Sequence, residues 1–185
     1  WECYQKWKAT FGNQLRIEGF TWDTMRLTGL GEPRQARVVE ATPGFIDLLG
    51  MEPALGRRPA PGGGNEILIS HALWSKELGR SPDVLGRIFS VNNKLYTVCG
   101  VLPSGMRWKR ADLILPIASV DPRISSPGNW LFLLGRRNAN VNLEALRNEM
   151  GQRRSPESGA EAVPVPHDYM SEMLGPLRQQ QVGLG

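Results

Sequence analysis

The residue types able to do chemistry in this 185-residue sequence are few and scattered. His71 follows Ser70 directly, which places a base beside a hydroxyl. Adjacent residues rarely aim their side chains at each other, so Ser70-His71 does not read as part of a nucleophile–base triad. Any histidine can act as a general base, but one in the first turn of a helix needs no special role, and His167 lies in a loop after Pro166. An oxidising compartment would allow a disulfide between Cys3 and Cys99. Cys99, however, sits in Leu95-Tyr96-Thr97-Val98-Cys99-Gly100-Val101 and reads as a small buried apolar residue. Two cysteines and two distant histidines also lack the ligand spacing of a zinc site.

The remaining motifs are no more suggestive of a reaction centre. Gly62-Gly63-Gly64 lacks the Gly-Lys-Ser/Thr ending of a phosphate-cradling loop. Gly29-Leu30-Gly31 lacks the third glycine of a dinucleotide fingerprint and has no following helix. Trp108-Lys109-Arg110 has the composition to stack on a base or sugar, but a tryptophan at a turn with charged neighbours reads better as a packing residue. Acidic residues are dispersed and none forms an obvious acid/base pair. These observations assign no catalytic, cofactor-binding or metal-binding residue, and the chain reads as something other than an enzyme. The formal charge is +4 and the pI about 9.4. Basic residues cluster only in pairs, such as Arg57-Arg58 and Arg136-Arg137, whereas a nucleic-acid tail needs a run of about five or more.

The elements that would position such residues follow from pattern. With 41% hydrophobic and 22% charged residues the composition is that of a globular domain, and no apolar run approaches the roughly 18 residues of a membrane span. The chain opens at Trp1 without a basic-then-apolar leader, and reads as a piece of a longer protein. A short helix is expected over 4–10, extended chain over 14–28 and a strand over 34–41. Thr42 as N-cap, Pro43 at the first helical position and Gly50 as C-cap frame a helix carrying Phe45, Leu48 and Leu49. Residues 53–65 read as loop. The stretch 66–69 reads as a buried strand, and Ser70 caps a helix that ends at Gly79. Residues 87–91 and 95–101 form a hairpin about Asn92-Asn93-Lys94, with Leu95, Thr97, Cys99 and Val101 expected on the buried face. A strand over 112–117, a loop over 120–129 and an apolar strand over 130–134 follow. Asn142 opens a helix with Leu143, Leu146 and Met150 as its stripe, closed by Gly151. A strand over 162–165 and a helix over 168–180 complete the pattern. The fold class is α+β, with small mixed or antiparallel sheets and strand-helix-strand units in two lobes. Residues 1–64 plus 119–165 form a discontinuous lobe, 65–118 an inserted hairpin-bearing lobe, and 166–185 a helix leading to a following membrane span.

The order of several of these elements resembles a known family. Val39 to Arg57 reads Val-Glu-Ala-Thr-Pro-Gly-Phe-Ile-Asp-Leu-Leu-Gly-Met-Glu-Pro-Ala-Leu-Gly-Arg. Next come Ile69-Ser70-His71-Ala72-Leu73-Trp74, then Leu78 to Arg87 with its Pro82-Asp83 and Leu85-Gly86 turn, the hairpin Val91 to Met106, and the closing strand Ala111 to Ile117. In this order and spacing they resemble the MacB-like periplasmic core domain of FtsX-like ABC-transporter permeases. Two positions depart from the family pattern, Leu78 where phenylalanine is usual and Asn92-Asn93 in place of Asn-Gly. Both substitutions keep the hydrophobicity or the turn propensity.

The resemblance implies a domain on the periplasmic face of the bacterial inner membrane, between two membrane spans of its own chain. It implies a cytoplasmic ABC ATPase, a second permease copy forming a dimer, a periplasmic adaptor protein, and no nucleic acid. The implied role is mechanical: transmission of ATP-driven conformational change during export, efflux or extraction of a substrate. The alternatives are a periplasmic binding module without a transport role, or a secreted hydrolase, which would need a nucleophile and a base in one pocket.

Overall fold

The computed structural model describes residues 2–60, 64–106, 108–117 and 131–152. The elements in chain order are α1 (Glu2–Phe11), β1 (Leu15–Thr28), β2 (Arg34–Ala41), α2 (Phe45–Leu49), β3 (Leu55–Gly56), β4 (Glu66–Ile69), α3 (His71–Glu77), β5 (Ile88–Val91), β6 (Lys94–Val101), β7 (Leu113–Pro116), β8 (Phe132–Arg137) and α4 (Leu143–Gln152). One-turn 3-10 segments occupy Pro82–Val84 and Trp108–Arg110. The class is α+β with a mixed sheet. The expected strand over 162–165, the helix over 168–180 and the loop over 120–129 lie outside the described residues.

Strand pairing closes on itself. β1 pairs antiparallel with β2 through Phe20↔Ala41 to Leu27↔Arg34, and at its far end with β5 through Leu27↔Val91. β5 pairs with β6, β6 with β4, β4 with β7, and β7 with β2. Six strands thus form a closed ring. Each contributes two alternating residues to one cluster: Met25 and Leu27, Ala36 and Val38, Ile67 and Ile69, Phe89 and Val91, Tyr96 and Val98, Leu113 and Leu115. Side chains two apart on a strand share a face, so this cluster fills the inside of the ring. Complete burial of a side chain of this size contributes about 1.5–3 kcal/mol.

The opposite parity makes a second core outside the ring. Phe20, Val39, Ala41, Leu68, Cys99 and Ile114 face outward and are covered by Phe45, Ile46 and Leu49 of α2, by Met51 and by Trp108. This explains why β2 is buried on both faces. A third cluster joins Tyr4 and Phe11 of α1, Leu15 and Ile17 of β1, and Leu146 of α4. The first half of β1 there pairs antiparallel with β8, Leu15↔Arg137 to Phe20↔Phe132. One 14-residue strand therefore serves both the ring and the α1–α4 layer.

Several local expectations hold. Ser70 Oγ accepts the Leu73 N–H at 3.1 Å and caps α3, and Asn92 and Asn93 take positive φ in a two-residue turn. Others need correction. Thr42 does not cap α2; Gly44 stands at the cap position without a side-chain bond, because the Thr42 hydroxyl is engaged by β1. Leu95 and Thr97 are exposed, while Tyr96 and Val98 point inward. The β4–β6 register slips at Cys99, a bulge that brings Val101 inward with Ile69, and alternation read straight through the bulge selects the wrong face. Leu143 is exposed, Leu146 alone of its stripe is fully buried, and the helix runs past Gly151 to Gln152. The loop over 53–65 contains β3, which pairs with β6 at Gly56↔Gly100.

Candidate functional site

The residues singled out by chemistry are not brought together. The Ser70 hydroxyl is spent on its cap, and His71 packs edge-on against Trp74 with ring centroids 5.5 Å apart. The Cys99 thiol is buried and donates to the Ile67 carbonyl at 3.3 Å. Burial pushes its pKa up to about 11, so thiolate, the nucleophilic form, is scarce at neutral pH. The Cys3 side chain, His167 and 61–63 lie outside the described residues. Gly29 and Gly31 both adopt positive φ in the turn between β1 and β2. Among the described residues no group of three or more His, Cys, Asp or Glu side chains is placed to hold a metal ion.

Two arrangements were not legible in the sequence. The first is an aromatic ledge. Trp108 is buried edge-on against Phe20 at 5.0 Å and Phe45 at 5.8 Å, which makes it the packing residue expected. Beyond it, Trp22 stacks on Phe132 at 4.4 Å, and Lys109 Nζ lies 4.4 Å above the Trp22 ring as a cation–π partner. Trp22, Phe132 and Leu133 are exposed by 42%, 41% and 36%. A shallow cleft of about 270 Å³ runs beside Trp22, lined further by Thr24, Arg37 and Lys109.

The second arrangement is a buried carboxylate. Glu18, on β1 between Ile17 and Gly19, is 9% exposed. Its Oε2 accepts from the Thr42 hydroxyl and, at 3.3 Å, from the Tyr4 hydroxyl. Lys8 Nζ donates to the Tyr4 oxygen at 2.9 Å and to Glu18 Oε1 at 3.4 Å. The bond to Tyr4, with a smaller contribution from the Glu18 charge, holds the Lys8 ammonium above the usual lysine range. A buried charge is tolerated only when it is paired and hydrogen-bonded, and Glu18 meets both conditions. No spacing rule marks a lone glutamate within a strand, so sequence reasoning had no signal for it.

Comparison with known proteins places this geometry in context. A family model described as the MacB-like periplasmic core domain matches residues 9–153. No curated protein matches the sequence. The fold is similar to that of the periplasmic region of MacB from Actinobacillus actinomycetemcomitans, with TM-score 0.64 and 13% identity over 80% of this chain and 73% of that one. It is also similar to the extracellular domain of the noncanonic ABC-type transporter YknZ from Gram-positive bacteria, with TM-score 0.63 and 15% identity over 82% and 81%. A domain described as part of a permease from Porphyromonas gingivalis aligns with TM-score 0.59 and 22% identity over 80% and 69%. At these identities the likeness concerns the fold.

Proposed function

The chain belongs to the family of MacB-like periplasmic core domains, and from that premise we propose that it is the periplasmic domain of an ABC-transporter permease of the inner membrane, moved by a cytoplasmic ATPase and carrying that movement to a substrate or partner outside the membrane. The observation that carries the reading is the extent of the family match, residues 9–153, which takes in the two cores of the ring and all of the third except Tyr4 and Trp7 of α1. The work is mechanical, not chemical. The closed ring supports this role, because a close-packed interior transmits displacement with little loss. The domain acts in a permease dimer, with an adaptor protein as a further periplasmic partner. Two lobes are part of the proposal, but the expected division near residues 64 and 118 does not follow the cores, because β2 and the second half of β1 belong to the ring. The separate cluster of α1, the first half of β1 and α4 supports two bodies. β2 and β3 contribute to the ring side.

The test is made on the full-length permease in its own membrane. A single cysteine at the exposed turn, Asn93→Cys, in a background of Cys3→Ser and Cys99→Ala, is treated with a membrane-impermeant maleimide in cells whose inner membrane is intact. The expected result is labelling from outside, together with co-purification of an ABC ATPase. Labelling only after the inner membrane is broken would refute the placement, and absence of an ATPase partner would refute the mechanism.

A further inference from the structure

We propose that the Glu18 carboxylate is a coupling joint that ties the position of α1 to that of the β2–α2 junction, so that a displacement of either helix is felt by the other. As a step in a transport cycle this rests on the permease reading, in which α1 follows a membrane span. As a property of the fold it stands on the contacts alone.

Glu18 is carried by β1, but among the described residues its three side-chain donors come from elsewhere. Tyr4 and Lys8 lie one turn apart on α1, and Thr42 follows the last residue of β2. Thr42 has no slack. Its hydroxyl also accepts the Gly19 N–H at 3.0 Å, and its own N–H donates to the Gly19 carbonyl at 2.9 Å. Its carbonyl accepts the Phe45 N–H at 3.0 Å, which starts α2. Gly44 is packed against the carboxylate itself: a Cβ there would lie 2.7 Å from Glu18 Cδ. The carboxylate therefore fills the space between α1 and the chain that enters α2.

The physical consequence is linkage. If α1 withdraws, Glu18 gives up its bonds from Tyr4 and Lys8 and keeps the one from the Thr42 hydroxyl, at the cost of the hydrogen bonds lost to a charged group. It regains donors by following α1, which draws on Thr42, or it holds α1 in place. If the β2–α2 junction shifts, the same argument runs in reverse, as coupling between two sites must. Beyond the junction, Phe45 delivers the shift to Phe20 and Trp108 at centroid distances of 5.3 and 5.8 Å.

Amide hydrogen exchange on the 185-residue chain tests this, with Thr42→Val, Thr42→Ser and Tyr4→Phe compared with the parent. The amides of Val98 and Leu102, bonded to Arg87 and Ile69 carbonyls, report overall stability. In Thr42→Val the α1 amides of Lys8 to Phe11 should exchange about tenfold faster, beyond any change at Val98 and Leu102, the loss expected for a hydrogen bond to a charged group. In Tyr4→Phe the amides of Leu48, Gly50 and Met51 should respond in the same sense, and Thr42→Ser should restore α1. The proposal is overturned if each effect stays in the element that carries the substitution, if Thr42→Ser behaves as Thr42→Val, or if Val98 and Leu102 accelerate by the same factor. These outcomes are independent of the labelling experiment, so failure of the joint and failure of the permease reading are told apart.

Discussion

Three glycine-to-alanine substitutions separate backbone strain from steric overlap. Gly31 has φ of +104° and open space around its missing Cβ, so Gly31→Ala carries strain alone, about 1–2 kcal/mol. Gly100 does not have a positive φ, but a Cβ there would lie 2.5 Å from the Arg57 carbonyl oxygen, 2.9 Å from Leu68 Cδ2 and 3.1 Å from the Leu55 carbonyl oxygen. Two of these three neighbours are backbone atoms, which no rotamer change can move. Gly100→Ala should therefore cost about 2–3 kcal/mol, the upper range for overpacking. Gly56 combines both effects. Its φ is +76°, it faces Gly100 across the β3–β6 pair, and a Cβ would collide with the Cys99 carbonyl oxygen and lie 2.7 Å from Leu85 Cδ2. Gly56→Ala should cost about 3–5 kcal/mol, a large part of the total stability of a domain this size. Urea unfolding followed by tryptophan fluorescence gives the three values. The expected order is Gly31 least, Gly100 next and Gly56 most. If Gly56→Ala were no more costly than Gly31→Ala, the close approach of β3 to β6 would be wrong.

Trp108→Ala should destabilise by about 3–5 kcal/mol, whereas Trp22→Ala, at an exposed ring, should cost about 1 kcal/mol or less; unfolding midpoints at constant slope measure both. Cys99 should resist iodoacetamide at pH 8 in the native chain and react once denaturant is added, with mass spectrometry locating the label. The two Arg57 hydrogen bonds, and then the Ala60 N–H, hold the Glu66 carboxyl below the usual glutamate range. The folded state then binds this proton less readily than the unfolded state. The contribution is present above the ordinary glutamate pKa and lost as pH falls through the lowered one. Glu66→Gln should accordingly flatten the acid side of the stability curve below about pH 4.5, and an unchanged acid limb would refute the pairing.

The parts of the fold visible in the sequence are those fixed by short-range rules. Ser70 announces α3, Gly50 ends α2, and Asn92-Asn93 makes the β5–β6 turn, because each acts within a few residues. The closed ring is not visible in the same way. It depends on Leu27 meeting Val91 and on Ala41 meeting Pro116, and no local periodicity encodes which strands become neighbours. The Cys99 bulge defeats strand alternation for the same reason, since the extra residue exists only relative to β4. Thr42 does not cap α2 because a hydroxyl before Pro43 has two uses, and the nearby buried Glu18 decides between them. The joint itself is assembled from positions 4, 8, 18 and 42, each unremarkable alone.

The two halves of β1 also complete at different times during synthesis. All six ring strands lie before residue 117, so the ring can close as soon as β7 has left the ribosome. The partner of the first half of β1 is β8, whose last residue emerges about twenty residues later. At about 5–20 residues per second this is a delay of roughly 1–4 s. For that interval Leu15 to Gly19 present an unpaired strand edge beside a finished barrel. Exposed edges invite pairing with other chains, so this brief window is where a nascent domain of this kind is most open to misassembly.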